Sequence, residues 1–171
     1  PRAAVAHGTR ALRAHVDVGP AQGLANVEGV RAAADRMFGL LDVQIVAFPQ
    51  QGLLSAPGTL ELLDAALSDG ADLVGGIDPI GLEDDFDGHL DAVFGLAAKH
   101  GTDVDIHLHD GGEVGLDETR RSGNLRGKPT LILHGRADAL LPVNHTSRPY
   151  AALNRKVEGA ASQLSYIEVA N

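Results

Sequence analysis

The stretch VQIVAFPQQG, residues 43–52, decides the fold of this chain. Val43 to Phe48 is a short apolar run with strand character, and Pro49 and Gly52 punctuate its end. Immediately upstream, Leu24, Val27, Val30, Ala34, Met37 and Leu41 recur three or four residues apart. That spacing predicts a helix over Gly23–Leu41 with one apolar face turned to a sheet. Immediately downstream, Thr59–Asp69 is helical in pattern as well. Further out, strand-like runs lie at Leu12–Val18, Leu73–Ile77 and Val104–Leu108, with a helical segment at Asp87–His100. The strands recur at about the 30-residue interval of a βαβ unit, and right-handed crossovers make them parallel neighbours.

The rhythm breaks in DGGEVGLDETRRSGNLRGKP, residues 110–129, where a crossover helix has no room and Leu116–Arg121 is at most a short one. After it come a strand at Thr130–Leu133, a helix around Ser147–Val157 and a last strand at Leu164–Val169. A seam in the chain is expected near Arg121–Arg126. The opening residues, PRAAVAHGTRAL, read as a helix and turn leading into a strand, so the chain is expected to start inside a fold.

The chain has 171 residues, 44% of them hydrophobic and 22% charged, enough for one ordinary core. It has no cysteine, so disulfides, thiolate ligands and thiol nucleophiles are excluded and any metal must be held by His and carboxylates. The formal charge is −9, with 14 Lys and Arg scattered along the chain, which argues against nucleic acid and for a small-molecule partner. No apolar run approaches the roughly 20 residues that span a bilayer. A soluble, cytoplasmic protein without a membrane partner is expected.

Parallel βα sheets carry their working groups at the carboxyl ends of strands. The residues there are His15 and Asp17, Gln50 and Gln51, Asp78, and the group His107, His109 and Asp110 in DIHLHDGG. His107 and His109, spaced i, i+2, share a strand face, and a carboxylate follows at once, which suits a divalent metal. The same residues would also serve as polar caps of a strand end, and Gln50 as a turn residue after Pro49.

The phrases HVDVGP, VQIVAFPQQGLLS, GADLVGGIDP and VDIHLHD stand in this order over residues 1–121. Together they resemble the cytosine deaminase and N-isopropylammelide isopropylaminohydrolase branch of the amidohydrolase superfamily. The resemblance implies part of a (β/α)₈ TIM barrel and metal-dependent hydrolysis of a ring C–N bond. It places a metal ligand on His107, the substrate-orienting glutamine on Gln50 and the acidic residue on Asp110; His109 as a second ligand and His15 as a distant third would make a new site and not the family's. Cytosine deaminases have Glu where Asp110 stands, so the pattern lies nearer the ammelide type. The family's remaining metal ligands have no counterpart here.

From Ser122 onwards the vocabulary changes. SGNLRGKPTLILHGRADALLPVNHTSRPYAAL resembles the late strand and acid-bearing loop of the α/β-hydrolase fold, in wording close to 3-hydroxybutyrate oligomer hydrolases. That resemblance places the triad carboxylate on Asp138. No G-x-S-x-G elbow occurs in the chain, so the segment is expected to act structurally, and His134 or His145 beside Asp138 would make a hydrogen bond and not a triad.

The expectation is therefore an α/β protein: parallel βα units from a partial TIM barrel (1–121) joined to an α/β-hydrolase fragment (122–171) in one folded unit. Its sheet stays open, is completed by the strands Thr130–Leu133 and Leu164–Val169 folding back beside it, or is completed by a second copy; a homodimer, with or without exchange of segments, is favoured. The function expected is that of a chimeric or truncated hydrolase without intact catalysis. The alternatives are a metal-dependent amidohydrolase on ring C–N bonds and an α/β-hydrolase-type esterase. The cofactor is a divalent metal, zinc or iron, or none.

Overall fold

The computed structural model describes residues 2–108, 113, 123–137 and 142–170. His109, Asp110 and Asp138, and the possible short helix at Leu116–Arg121, lie outside the described residues. The chain divides into two compact units, Pro1–Asp110 and Gly111–Asn171.

The first unit runs α1 (Arg2–Ala6), β1 (Ala11–Asp17), α2 (Ala25–Asp35), β2 (Asp42–Phe48), α3 (Thr59–Ser68), β3 (Leu73–Ile77), α4 (Phe86–His100) and β4 (Asp103–His107). The four strands form one parallel sheet in the order β1-β2-β3-β4, as the βα rhythm requires. Helices α3 and α4 each bury one stripe. In α3 it is Thr59, Leu63, Ala66 and Leu67, and in α4 His89, Val93, Leu96 and Ala97. In both, the spacing i, i+4, i+7, i+8 marks one helical face. The Asp85 carboxylate caps α4 by accepting from the Gly88 N–H at 2.9 Å, and Gly101 ends the helix in the left-handed conformation at φ 65°. Helix α2 is shorter than its apolar periodicity predicts. After Asp35 the backbone tightens into i→i−3 turns, with Met37 N–H donating to Ala34 and Phe38 N–H to Asp35, and Gly39 takes φ 78°. Met37 and Leu41 are buried all the same, from a turn and not from a helix.

Two apolar layers lie on the two sides of this sheet. Val16, Ile45, Ala47 and Val74 pack outward with Val27, Leu63 and Val93 of the helices. Val46, Phe48, Leu73 and Ile77 form a separate cluster on the other face. Every residue of β3, LVGGI, is buried, and its two glycines face opposite layers. A Cβ on Gly75 would lie 2.7 Å from the Phe48 ring, and one on Gly76 2.6 Å from His89 Nε2. Both rings therefore rest directly on the β3 backbone.

The sheet is curled. In a flat sheet at ~4.8 Å per strand, β1 and β4 would stand about 14 Å apart. Yet Arg13 Nη1 lies 2.7 Å from Asp105 Oδ2, and the His15 and His107 ring centroids are 4.6 Å apart. Side chains three strand spacings apart can touch only across a concave face. Among the described residues β1 and β4 remain the edges of the sheet and no barrel closes.

The second unit contains β5 (Thr130–Gly135), α5 (Ser147–Glu158), a 3₁₀ turn at Gly159–Ala161 and β6 (Leu164–Val169). Strand β5 pairs in parallel with β6 in full register, from Thr130 opposite Leu164 to Gly135 opposite Val169. The expectation that these strands join the first sheet is corrected here: α5 is the crossover between them, and the two strands meet each other in a sheet of their own. Buried Asn154 ties the unit together, donating to the Gly123 carbonyl and to Glu158 at 3.0 Å each and accepting from Ser162 at 2.6 Å. Among the described residues no helix is long and apolar enough to cross a membrane.

Candidate metal centre

Because all four strands of the first sheet are parallel, His15, Gln50, Asp78 and His107 lie at one edge of it. His107 is the last residue of β4 and Gln50 follows β2 after Pro49, as the sequence predicts. Gln50 is an exposed turn residue whose N–H donates to the Phe48 carbonyl at 3.1 Å. Asp78 takes φ 37° and its N–H donates to the His107 carbonyl at 3.0 Å, stitching the β3 exit to β4.

On the concave face the structure brings together His15, Asp105 and His107, one ligand atom of each within 4.8 Å of the others. Asp105 Oδ1 is 3.3 Å from His15 Nε2, and its other oxygen accepts from Arg13 Nη1 at 2.7 Å. Arg13 is itself held by Gln44, whose Oε1 accepts from Nε at 2.7 Å. Phe48 walls the group: its ring meets His15 edge-on at 5.3 Å and His107 at 4.6 Å. Burial raises the Asp105 pKa, but hydrogen bonds from His15 and Arg13 and their charges outweigh it, so the carboxyl stays below its usual range. An ionised carboxylate between two imidazoles is a donor set that zinc or iron accepts.

Of the expected ligands, His107 and the distant third, His15, stand together, and Asp105 joins them; His109 and Asp110 lie outside the described residues. The signal for Asp105 was present, since it precedes His107 by two and therefore shares its strand face. The signal for Arg13 two before His15 is of the same kind. What the chain does not advertise is that β1 and β4 curl until these two faces meet.

A second buried group supports the same edge. The Glu83 carboxylate, from the β3–α4 loop, has no exposed side-chain surface and accepts from the backbone N–H groups of Leu53, Leu54 and Ser55. It thereby pins the loop that begins at Gln50. Burial alone would raise its pKa; these N–H groups hold it below the ordinary value. His89 lies fully buried beside it, Nδ1 3.6 Å from Glu83 Oε1, and burial pushes its pKa down against the pull of that carboxylate. Among the described residues neither ring nitrogen of His89 has a hydrogen-bond partner. In sequence, His89 looks like any polar residue of a helix.

In the second unit, Ser147 Oγ at the start of α5 lies 2.6 Å from His134 Nδ1 and 3.0 Å from Tyr166 Oη. Tyr166 donates to Glu168 at 2.8 Å, and Arg148 and Arg136 pair with the same carboxylate. His134, Tyr166 and Glu168 share one face of the β5–β6 ladder because Ile132 opposes Tyr166 and His134 opposes Glu168. On the other face Leu131, Leu133, Ile167 and Val169 are exposed.

Comparison with known proteins gives matches to two kinds of hydrolase. The model of the 3HB-oligomer hydrolase family matches residues 83–171. The D-(-)-3-hydroxybutyrate oligomer hydrolase of Paracidovorax citrulli is 82% identical over 59 residues, which are 34% of this chain and 8% of that protein. The N-isopropylammelide isopropyl amidohydrolase of a Pseudomonas species is 40% identical over 117 residues, 68% of this chain and 29% of that protein. Among solved structures, N-isopropylammelide isopropylaminohydrolase from Burkholderia multivorans superposes with a TM-score of 0.72 at 36% identity, covering 98% of this chain and 43% of that one. The 5-methylcytosine deaminase of Klebsiella pneumoniae, with 5-fluorocytosine bound, gives 0.59 at 29% identity, covering 93% and 38%. The chain thus spans less than half the length of each of these proteins.

Proposed function

The chain belongs to the 3HB-oligomer hydrolase family, by the match over residues 83–171, and its fold resembles that of amidohydrolases; from these two facts we propose a hydrolase-derived protein that binds a divalent metal but does not by itself turn over substrate. The observation that carries this reading is the His15–Asp105–His107 cluster at the carboxyl end of a curled parallel sheet. These three residues would hold zinc or iron. When bound, the ion supplies Lewis acidity. Phe48 then excludes water from one side of the cluster, and Gln50 presents an amide at the same edge for a ring nitrogen or carbonyl.

Hydrolysis needs a proton-transfer group as well as an electrophile, and a useful base has a pKa near the working pH. Asp105 is unsuited to that work, because Arg13 and His15 both stabilise its ionised form. It acts as a ligand and not as a base. In the second unit Ser147 is unsuited as a nucleophile, since it is buried at 8% exposure and lies on no strand-to-helix elbow. An alternative reading is favoured by the likeness to the ammelide hydrolase: metal-dependent hydrolysis of a ring C–N bond, with Asp110 as the acid-base group, His109 as a further ligand and Gln50 orienting the ring. For the second unit, Asp138 is the carboxylate an esterase would use.

Metal analysis of the purified chain decides between these. We expect one equivalent of zinc or iron, lost in His107→Ala, with no enzyme-like turnover of N-isopropylammelide or cytosine. Absence of stoichiometric metal would sink the first reading, and metal-dependent turnover that His107→Ala abolishes would establish the second. The open β1 edge, whose backbone groups lack a ladder partner on one side, and the apolar groove beside it lined by Leu12, Ala14, Val30 and Leu41 further support a homodimer. Sedimentation at micromolar concentration should show two copies, and a compact monomer would reject the pairing.

A further inference from the structure

His89 is a titratable ring that the metal centre leaves unused, and the first unit is built closely around it. It sits in the buried stripe of α4 with Val93, Leu96 and Ala97. Its side chain and that of Glu83 are both fully buried, with Nδ1 3.6 Å from Glu83 Oε1. On its far side the ring rests on β3, where a Cβ at Gly76 would lie 2.6 Å from Nε2. Glycine is what leaves room for it. Glu83 also faces the loop that follows β2: Oε1 accepts from the Leu53 N–H, and Oε2 from Leu54 at 3.0 Å and Ser55 at 2.7 Å. A Cβ on Gly52 would lie 3.4 Å from Oε1, so the turn after Gln50 wraps the carboxylate closely.

One carboxylate thus stands between a ring and three backbone N–H groups, and the charge of the ring decides what it must do. A neutral imidazole leaves it to the loop. An imidazolium buried in the same place carries a charge that has to be met. Its Nε2 faces the β3 backbone, which pairs with β2 and β4 on either side and cannot withdraw. Its Nδ1 faces Glu83, and a charge-assisted bond of about 2.8 Å requires the carboxylate to come roughly 0.8 Å nearer, or else to swing out and admit water. Both movements are taken from the N–H groups of Leu53, Leu54 and Ser55. Burial, the larger effect, pushes the His89 pKa below its ordinary 6.5 against the pull of the carboxylates that face it, Glu83 and Asp85 from the β3–α4 loop and Asp78 from the end of β3.

We propose that Glu83 and His89 form an acid-released latch on the loop from Gln50 to Ser55: with the ring neutral the carboxylate holds the loop by its backbone, and protonation of the ring lets it go. Linkage sets the sign. In the open loop water reaches His89 and its pKa returns to the ordinary 6.5, so the closed loop binds fewer protons. Closure is therefore complete above about pH 6.5, and the open fraction grows by up to about tenfold per pH unit as pH falls towards the lowered value. Glu83 stays ionised over this range, because its own pKa lies below the ordinary 4.5. Between pH 6.5 and 4.5 the ring is thus the member of the pair that changes charge. The latch governs the posture of the Gln50 edge and is independent of what that edge or the metal cluster binds.

Amide hydrogen exchange of the full chain, followed by NMR between pH 6.5 and 4.5 and corrected for the intrinsic rate at each pH, tests this without ligand or metal. Protection at Leu53, Leu54 and Ser55 should fall with acid by up to about tenfold per pH unit, while the Leu63 amide in α3 keeps its protection. In His89→Gln, which has no titrating ring, loop protection should be independent of pH across the window. In Glu83→Gln it should be low throughout. Native loop protection that stays constant from pH 6.5 to 4.5 overturns the latch, as does a slope that survives in His89→Gln or a loss shared equally by Leu63. If neither variant folds, the native contrast between the loop and α3 decides.

Discussion

Each unit places an imidazole near a carboxylate, and the two do so in opposite ways. On the concave face of the first sheet, His15 meets Asp105 directly, at 3.3 Å, with His107 stacked beside it. In the second unit His134 reaches Glu168 only through two hydroxyls. Direct convergence gathers lone pairs in a space an ion can fill. A chain of hydroxyls keeps the ring and the carboxylate apart and links them by hydrogen bonds instead. The arginines follow the same division. Arg13 shares Asp105 with His15, whereas Arg148 and Arg136 both pair with Glu168, the carboxylate to which Tyr166 donates.

The largest expected effect is on metal affinity. Zinc titration calorimetry should show His107→Ala weakened by more than the roughly 10–100-fold that changes outside the ligand shell cost, while His134→Ala keeps native affinity. Equal losses in the two variants would erase the contrast between the units. Next in size is Arg13→Gln, which removes a cation 2.7 Å from Asp105. At an effective dielectric near 20, and with Arg13 half exposed, zinc should bind about tenfold tighter. Unchanged affinity would mean that Arg13 does not compete.

The pH dependence of stability gives a third handle. The folded pKa of Glu168, about 2, lies below its ordinary 4.5. Its contribution is therefore fully present above about pH 4.5 and is lost as pH falls towards 2. Glu168→Gln should flatten acid unfolding in that window, followed by circular dichroism, and leave stability above it independent of pH as before. If the native and variant curves stay parallel down to pH 2, the carboxylate is not held as described. The smallest effect belongs to Tyr166→Phe, which removes one linking hydroxyl and should cost about 1 kcal/mol in urea unfolding.

Much of the architecture was legible in the sequence. The runs expected at Leu12–Val18, Val43–Phe48 and Leu73–Ile77 became β1, β2 and β3 within a residue at each end, and Ser147–Val157 became α5. The edge holding Gln50 and His107 followed from parallel order alone. The length of α2 did not, because an apolar period continues through Met37 and Leu41 although the backbone has already left the helix. Asp105 was passed over for a different reason. Residues at strand ends draw attention, and it lies one pleat inside.

The sequence by itself determined which residues share a face, since strand and helix periods are local and are set by backbone geometry. It determined the parallel order of β1 to β4 and the change of vocabulary near Ser122. Only the tertiary structure decided which faces meet. Sheet curvature is the sum of small twists over every strand and of the packing behind them, so it appears in no single segment. That curvature carries β1 to within hydrogen-bond reach of β4 and joins His15 and Arg13 to Asp105. In the same way the pairing of β5 with β6, and the lie of α5 across them, put Ser147 between His134 and Tyr166. His134 and Ser147, 13 positions apart, and Ser147 and Tyr166, 19 apart, thus come within hydrogen-bond distance.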